Sequence, residues 1–196
     1  MSDDDFTRLL DEIPLLYKVR AFADGIADAR LFMRLGDPLD NREKDLSRTY
    51  LDGLGFPYAE PGLLTSWDEA AEAAEALDFN PEGWEAEEML RAGLVAAAAE
   101  RIDEDGISTA LEYVGLKAGE AAQDAVAYSA SLGDMRDESV LNAAAGALVQ
   151  AANGAALVIL SESEDEDPPH PFLARWRLFV RGRWPIGLAG STYNVL

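Results

Sequence analysis

Apolar residues recur every three or four positions through most of this chain, which is the spacing of one face of an α-helix. The first such run covers residues 6–13 and meets Pro14, which predicts an interruption or a kink there. A second run covers 15–32, and a third covers about 39–54. The prolines and glycines of residues 55–62 then predict an irregular loop.

Two local signatures predict helix starts in the middle of the chain. Ser66 and Glu69 have the spacing of a capping box, in which each side chain satisfies a free amide of the first turn. Asn80-Pro81 is typical of an N-cap followed by the first helical residue. The helix that starts there is expected to run to about residue 103, and the next helix is expected over 107–128.

The least polar stretch is AAAGALVQAANGAALVIL, residues 143–160. It is shorter than the roughly 20 strongly apolar residues of a membrane-spanning helix, and much of it is alanine and glycine. On a helical wheel one narrow sector holds the polar and small residues, and the larger aliphatic residues point away from it. This predicts a buried helix of a soluble bundle, with Gly146 and Ala147 against a neighbouring helix. The amides in the polar sector are Asn142, Gln150 and Asn153.

The C-terminal part of the chain changes character. Residues 161–169 join an acidic run to two prolines and predict a linker, hereafter the acidic linker. Residues 170–196, the arginine-rich tail, contain no Asp or Glu but four arginines. Apolar residues at i, i+4 and i+7 predict a short amphipathic helix there, and WPIGLAGSTYNVL predicts two short strands. The helix stripe is Phe172, Trp176 and Phe179, and the arginines are Arg175, Arg177, Arg181 and Arg183.

These elements predict an all-α fold over residues 1–196: a single-domain bundle of about six to eight helices with a small C-terminal β-hairpin. A chain of 196 residues suits one domain, and a 48% hydrophobic content is enough for a core. The absence of cysteine excludes disulfides and thiolate sites, and it favours a cytoplasmic location.

The net charge of −21 limits the partners that we expect. Such a chain repels nucleic-acid backbones and anionic lipid, so binding to nucleic acid or to a membrane surface is not expected. The acidity is either a solubility adaptation of the source organism or a face that docks a basic partner. For the four tail arginines, docking onto the chain's own acidic body is favoured over an external anion.

Candidate chemistry is sparse in this sequence. Asp103, Asp105 and Glu112 match positions of a calcium-binding EF-hand loop, but its first ligand position holds Arg101. The single histidine, His170, lies between prolines, and no nucleophile motif accompanies it. We therefore predict no catalytic residue, no metal site and no cofactor.

Three hypotheses of function remain open. The first is a non-enzymatic interaction or regulatory protein that binds a basic protein partner. The second is an enzyme or small-ligand-binding protein with a pocket lined by Asn142, Gln150 and Asn153. The third is a homo-oligomeric structural protein that uses the small residues of the helix over 143–160 as its seam.

Overall fold

The computed structural model describes Leu10, residues 13–75 and residues 80–196. These residues contain seven α-helices and one three-stranded sheet, which confirms the predicted helical bundle with a small C-terminal β-element. Of the run predicted over 6–13, only Leu10 and Ile13 are described. The helices are α1 (Leu15–Asp24), α2 (Asn41–Gly53), α3 (Trp67–Glu75), α4 (Pro81–Ala99), α5 (Glu104–Leu132), α6 (Glu138–Leu160) and α7 (Pro171–Val180). The strands are β1 (Glu60–Leu63), β2 (Pro185–Ala189) and β3 (Thr192–Val195).

The prediction of one continuous helix over residues 15–32 is wrong. Helix α1 ends before Gly25, and a single 3₁₀ turn, Ile26–Asp28, follows it. Phe32 lies in a turn with φ +56°, outside any helix. Ile26 and Phe32 are nevertheless buried in the main core. The apolar spacing therefore continues past the end of the helix because the core also buries residues that are not helical.

Side-chain caps fix where several helices begin. Asn80 accepts the N–H of Gly83, as predicted, with Pro81 in the first turn of α4. At α3, Ser66 accepts the N–H of Glu69, but the Glu69 carboxylate accepts the N–H of Thr65 instead of that of Ser66. These contacts satisfy amides that have no partner inside the helix.

Helix α6 lies at the centre of the bundle, along α5 and against α1, α4 and α7. Residues 151–160 are all buried except Asn153, which is half-buried. Among the described residues, α6 is the one helix long and apolar enough to cross a membrane, a criterion that core helices of soluble proteins also meet. Its enclosure by other helices supports the prediction of a buried bundle helix.

The expected close contact at Gly146 is not formed. Gly146 is exposed, and a Cβ atom added there would have no neighbour within 4 Å. The close approach occurs instead at Gly154, two turns further along, where an added Cβ would lie 3.2 Å from the ring of Phe172. Ala147, the other residue predicted to face a neighbouring helix, is partly buried against the main core, so the prediction is wrong for Gly146 alone.

The sheet joins the tail to the body of the protein. β2 and β3 form the predicted antiparallel hairpin, and β1 pairs in parallel with β3, which makes β3 the central strand. The irregular loop predicted over residues 55–62 is wrong at its end, where residues 60–62 form most of β1. Strand β1 needs a partner 132 residues away in sequence, from Glu60 to Thr192, so local pattern cannot reveal it.

Helix α7 connects two hydrophobic cores. Phe172, Trp176 and Phe179, the predicted stripe, are buried in the main core, which is built around α5 and α6. Ala174 and Leu178, on the other side of α7, belong to a smaller core. That smaller core also contains residues of α2 and the hairpin. The tail is therefore part of the folded body.

The acidic linker is also held against the body. Glu164 accepts from Lys18 of α1 at 2.6 Å, and Glu162 accepts from Arg101 at 2.9 Å. Both carboxylates thus bind cations on other parts of the chain. The linker between α6 and α7 is therefore joined by ion pairs to α1 and to Arg101.

Candidate functional site

Three of the four tail arginines form ion pairs with carboxylates of the body. Arg175 pairs with Glu87 of α4, and Arg181 and Arg183 pair with residues at the start of α2. Arg177 is half-buried on α7. Most of the positive charge of the tail is therefore paired with carboxylates of the same chain.

The buried centre of this network is the pair formed by Arg183 and Glu43. Both side chains are fully buried, and Arg183 Nη2 donates to Glu43 Oε2 at 2.9 Å. Arg183 also donates to the backbone carbonyls of Arg34, Asp37 and Pro38. A buried guanidinium needs such a set of acceptors because it cannot lose its charge. This arginine fastens the tail to the loop before α2.

Glu43 has two structural functions at once. With Asp40 it forms a capping box, accepting the N–H of Asp40 at 3.0 Å while Asp40 accepts the N–H of Glu43 at 2.9 Å. Its carboxylate also accepts from Arg34 at 2.7 Å. The N–H of Glu43, together with Arg181 and Arg34, holds the pKa of Asp40 below its ordinary value although desolvation opposes this.

A second polar cluster lies between α2, α4, α7 and the hairpin. Arg175 donates to Glu87 at 3.0 Å, and the Tyr50 hydroxyl donates to the same carboxylate. The Arg175 guanidinium carbon lies 5.8 Å from the centre of the Tyr50 ring, a cation–π distance. The rings of Tyr50 and Tyr193 are 5.0 Å apart. A cavity of about 210 Å³, hereafter the Tyr193 cavity, opens beside these groups.

Burial sets the titration of this cluster. Desolvation raises the pKa of Tyr50 and of Tyr193, so both hydroxyls stay protonated at neutral pH. Burial by itself lowers the pKa of Arg175, but the nearby oxygens of Tyr50, Glu87 and Tyr193 outweigh burial and raise that pKa above its ordinary value. The guanidinium therefore stays charged. The cluster therefore contains one fixed cation, one carboxylate and two neutral hydroxyls.

A second cavity, of about 340 Å³, is hereafter the apolar groove. The turn around Phe32, the start of α3, the end of α5 and the C-terminal Leu196 form its walls. Three of its lining residues are large, apolar and more than half exposed: Met33, Tyr128 and Leu132. Asp68 lines it as well, as the first carboxylate of α3.

The three amides proposed as pocket residues lie on α6 in different surroundings. Asn142 is exposed, and Gln150 lines a crevice of only about 10 Å³ beside Arg91 and Phe172. Asn153 does not line that crevice, and its Oδ1 is buried without a hydrogen-bond partner. The amide nitrogen of Asn153 would lie 3.7 Å from a Cβ added at Gly115 of α5. Neither Asn142 nor Asn153 shares the crevice of Gln150.

Two of the carboxylates that imitate a calcium loop, Asp103 and Asp105, lie at a helix start, and Glu112 lies further along the same helix. Asp103 is the N-cap of α5 and accepts the N–H of Gly106 at 2.9 Å. In the described part of the chain, no group of three or more His, Asp or Glu residues could hold a metal ion. The resemblance to a calcium loop thus arises because carboxylates and glycine also occur at helix N-termini.

Comparison with protein-family models, with curated proteins and with solved structures finds no match for this chain. Its function therefore has to be argued from its own geometry.

The sequence indicated Arg175 and Arg183 but not the residues that these arginines contact in the two polar clusters. Glu43 was not singled out, although Asp40 and Glu43 have the spacing of a capping box that could have been recognised. Glu87 lies among several glutamates of α4, and nothing local distinguishes it. Tyr193 was expected in a strand, but its contact with Tyr50 depends on the way the tail folds back.

Proposed function

We propose that this protein is a non-enzymatic interaction or regulatory protein whose apolar groove and surrounding acidic surface bind a basic protein partner. The observation that carries the proposal is the groove itself, a cavity of about 340 Å³ with three exposed apolar side chains. Apolar residues grouped around a cavity on an otherwise charged surface are typical of an interaction site.

The apolar part of the groove supplies the anchor. Met33, Tyr128 and Leu132 are 55%, 53% and 72% exposed, although each of them could bury a large area. Binding energy in protein interfaces is concentrated in a few such residues near the centre of the contact. A partner that inserts an apolar side chain between them would remove all three from water.

The charge next to the groove selects the partner. From Thr49 to Leu90 the sequence has eleven Asp or Glu residues and no Lys or Arg. Within this stretch α3 exposes Asp68, Glu69, Glu72 and Glu75. Three carboxylates elsewhere in the stretch pair with arginines, Glu60 with Arg48, Glu87 with Arg175 and Glu88 with Arg91. Within the described part of the chain, the four α3 carboxylates form no ion pair. The uncompensated charge favours a cationic partner and accelerates its association.

These two features together fit a basic amphipathic helix. Such a segment places apolar side chains in a groove and leaves lysine or arginine for the rim. A test uses two synthetic helices of about 14 residues, roughly four turns, one of leucine and lysine and the other of leucine and glutamate. We expect the protein to bind the lysine peptide and not the glutamate peptide, with affinity falling as salt is raised.

Variants on one helix separate the groove from general charge attraction. Leu132→Ser removes an exposed apolar side chain from the groove, and Leu116→Ser removes one that is 51% exposed elsewhere on α5. We expect Leu132→Ser to weaken lysine-peptide binding and Leu116→Ser to leave it unchanged. Equal binding by both variants would show that attraction is non-specific and would exclude the groove as the site.

The natural partner can then be sought by affinity capture from native lysate with mass spectrometry. A candidate supports the proposal if the wild type and Leu116→Ser retain it at low salt and Leu132→Ser loses it. A partner that all three baits retain at high salt would contradict an acidic, groove-dependent interface.

The homo-oligomer hypothesis has less support from the geometry of α6. The small residues that would form a seam between copies, such as Ala144, Ala151 and Ala155, are buried in the core of one chain. The ligand-binding hypothesis keeps support from a different place, the Tyr193 cavity.

A further inference from the structure

The Tyr193 cavity has the features of a small-molecule site that is independent of the apolar groove. Its walls come from elements far apart in sequence: α2, the start of α4, α7 and the hairpin. At about 210 Å³ it is smaller than the cavities of roughly 300–1,000 Å³ that hold drug-sized ligands. Its size therefore suits a molecule built on a single ring.

Two buried polar groups of residues that line this cavity lack a hydrogen-bond partner, the Tyr193 hydroxyl and Nε of Arg175. Tyr193 is 1% exposed, and its hydroxyl makes no hydrogen bond within the protein. Buried hydroxyls almost always have a partner because leaving one unpaired costs free energy. A ligand in the cavity could supply the missing hydrogen bond to this hydroxyl.

The charges around the cavity determine the charge of the ligand. Arg175 and Glu87 both line it and lie 3.0 Å apart, so the one cation and the one carboxylate balance each other. A charged ligand would leave an unbalanced buried charge beside this pair. The net charge of −21 further disfavours an anion. The site therefore suits an uncharged molecule.

The remaining walls of the cavity are formed by aromatic and aliphatic side chains. Tyr50, Tyr193 and Trp84 contribute three aromatic side chains, and Leu54 and Leu188 contribute aliphatic ones. Aromatic rings pack well against such walls in offset or edge-on arrangements. We propose that the Tyr193 cavity binds a small uncharged aromatic molecule through its ring and through a hydrogen bond between its carbonyl or hydroxyl group and the Tyr193 hydroxyl.

Three probes of nearly the same shape test the proposal: benzamide, which is neutral, benzoate, an anion, and benzamidinium, a cation. Binding is followed by NMR titration at neutral pH, with shifts mapped to residues of the cavity. We expect benzamide to bind and to shift signals of Tyr193 and Trp84, and the two ions to bind more weakly. Tighter binding of benzoate or benzamidinium would overturn the inference.

Matched variants test the role of the hydroxyl. Tyr193→Phe removes only the unpartnered oxygen, so the fold should be at least as stable, while benzamide affinity should fall about fivefold. Tyr58→Phe, at a side chain 92% exposed, should change neither property.

Trp84→Leu, which removes one aromatic wall, should also weaken benzamide binding while the fold is retained. If Tyr193→Phe bound benzamide as tightly as the wild type, or the wild type bound none at up to about 10 mM, the site would be excluded.

Discussion

Arg183 and Glu43, which are 140 residues apart, form a fully buried ion pair with Nη2 and Oε2 2.9 Å apart. Neither charge has access to water, so each depends on the other and on the surrounding backbone carbonyls and amides. The pair links the arginine-rich tail to the start of α2. It couples the stability of the tail to that of the body.

Removing one charge of this pair should destabilise the protein strongly. Glu43→Gln keeps an oxygen for the capping box but leaves Arg183 without its carboxylate, and breaking a buried pair in this way costs about 3–5 kcal/mol. Urea denaturation measures the change in the free energy of unfolding. Arg136→Gln removes a pair with Asp134 in which both side chains are more than 80% exposed, and it should cause no measurable change.

Substitution of alanine for two glycines of α6 should change the stability of the protein in opposite directions. Gly146→Ala fills open space and should stabilise the protein by about 0.5–1 kcal/mol through the better helix propensity of alanine. Gly154→Ala places a methyl group 3.2 Å from the Phe172 ring and should destabilise it by about 1–3 kcal/mol through overpacking. Thermal unfolding of both variants checks this. Equal melting temperatures would mean that α7 does not pack at Gly154.

Protonation of His170 should weaken the fold. Its Nδ1 accepts the N–H of Phe172 at 3.2 Å as the N-cap of α7, and burial lowers its pKa. Because the folded pKa is the lower one, this contribution is complete above the unfolded value of about 6.5 and is lost as pH falls through the folded pKa.

His170→Asn keeps a capping acceptor and should remove this dependence. The free energy of unfolding of the wild type should fall relative to the variant between about pH 7.5 and 5.5, by at most about 1.4 kcal/mol per pH unit. His170 is the single histidine of the chain, so no other imidazole contributes. Parallel curves for the two proteins would contradict the prediction.

Deleting residues 192–196 should disrupt the fold as a whole. β3 is the central strand, and its removal leaves β1 and β2 without a partner. It also removes Tyr193, Val195 and Leu196, which are buried. We expect the truncated protein to aggregate in size-exclusion chromatography. A monomeric truncation with the wild-type melting temperature would show that the sheet contributes little.

Asp103 should behave as a helix cap and not as a calcium ligand. Asp103→Ala should cost about 0.5–2 kcal/mol because the N–H of Gly106 loses its acceptor. Calcium at physiological ionic strength should not raise the melting temperature of the wild type. A single saturable site tighter than about 10 μM, the range of sensor loops, would contradict the helix-cap assignment.

The sequence by itself determined the features that depend on neighbouring residues. The spacing of Phe172, Trp176 and Phe179 predicted α7, and Asn80-Pro81 predicted the start of α4. The apolar run after Asn142 predicted the buried central helix. Helical periodicity and caps arise within a few residues, so they can be recognised without knowing the fold.

The tertiary structure alone decided which distant groups meet. Arg183 could have paired with any of many carboxylates, and only the return of the tail onto α2 selects Glu43. The same return places Tyr193 beside Tyr50 and gives β1 its partner strand. Charge and apolar spacing constrain what a residue needs, but they do not specify its partner. That choice depends on the packing of elements far apart in the chain, which no local pattern contains.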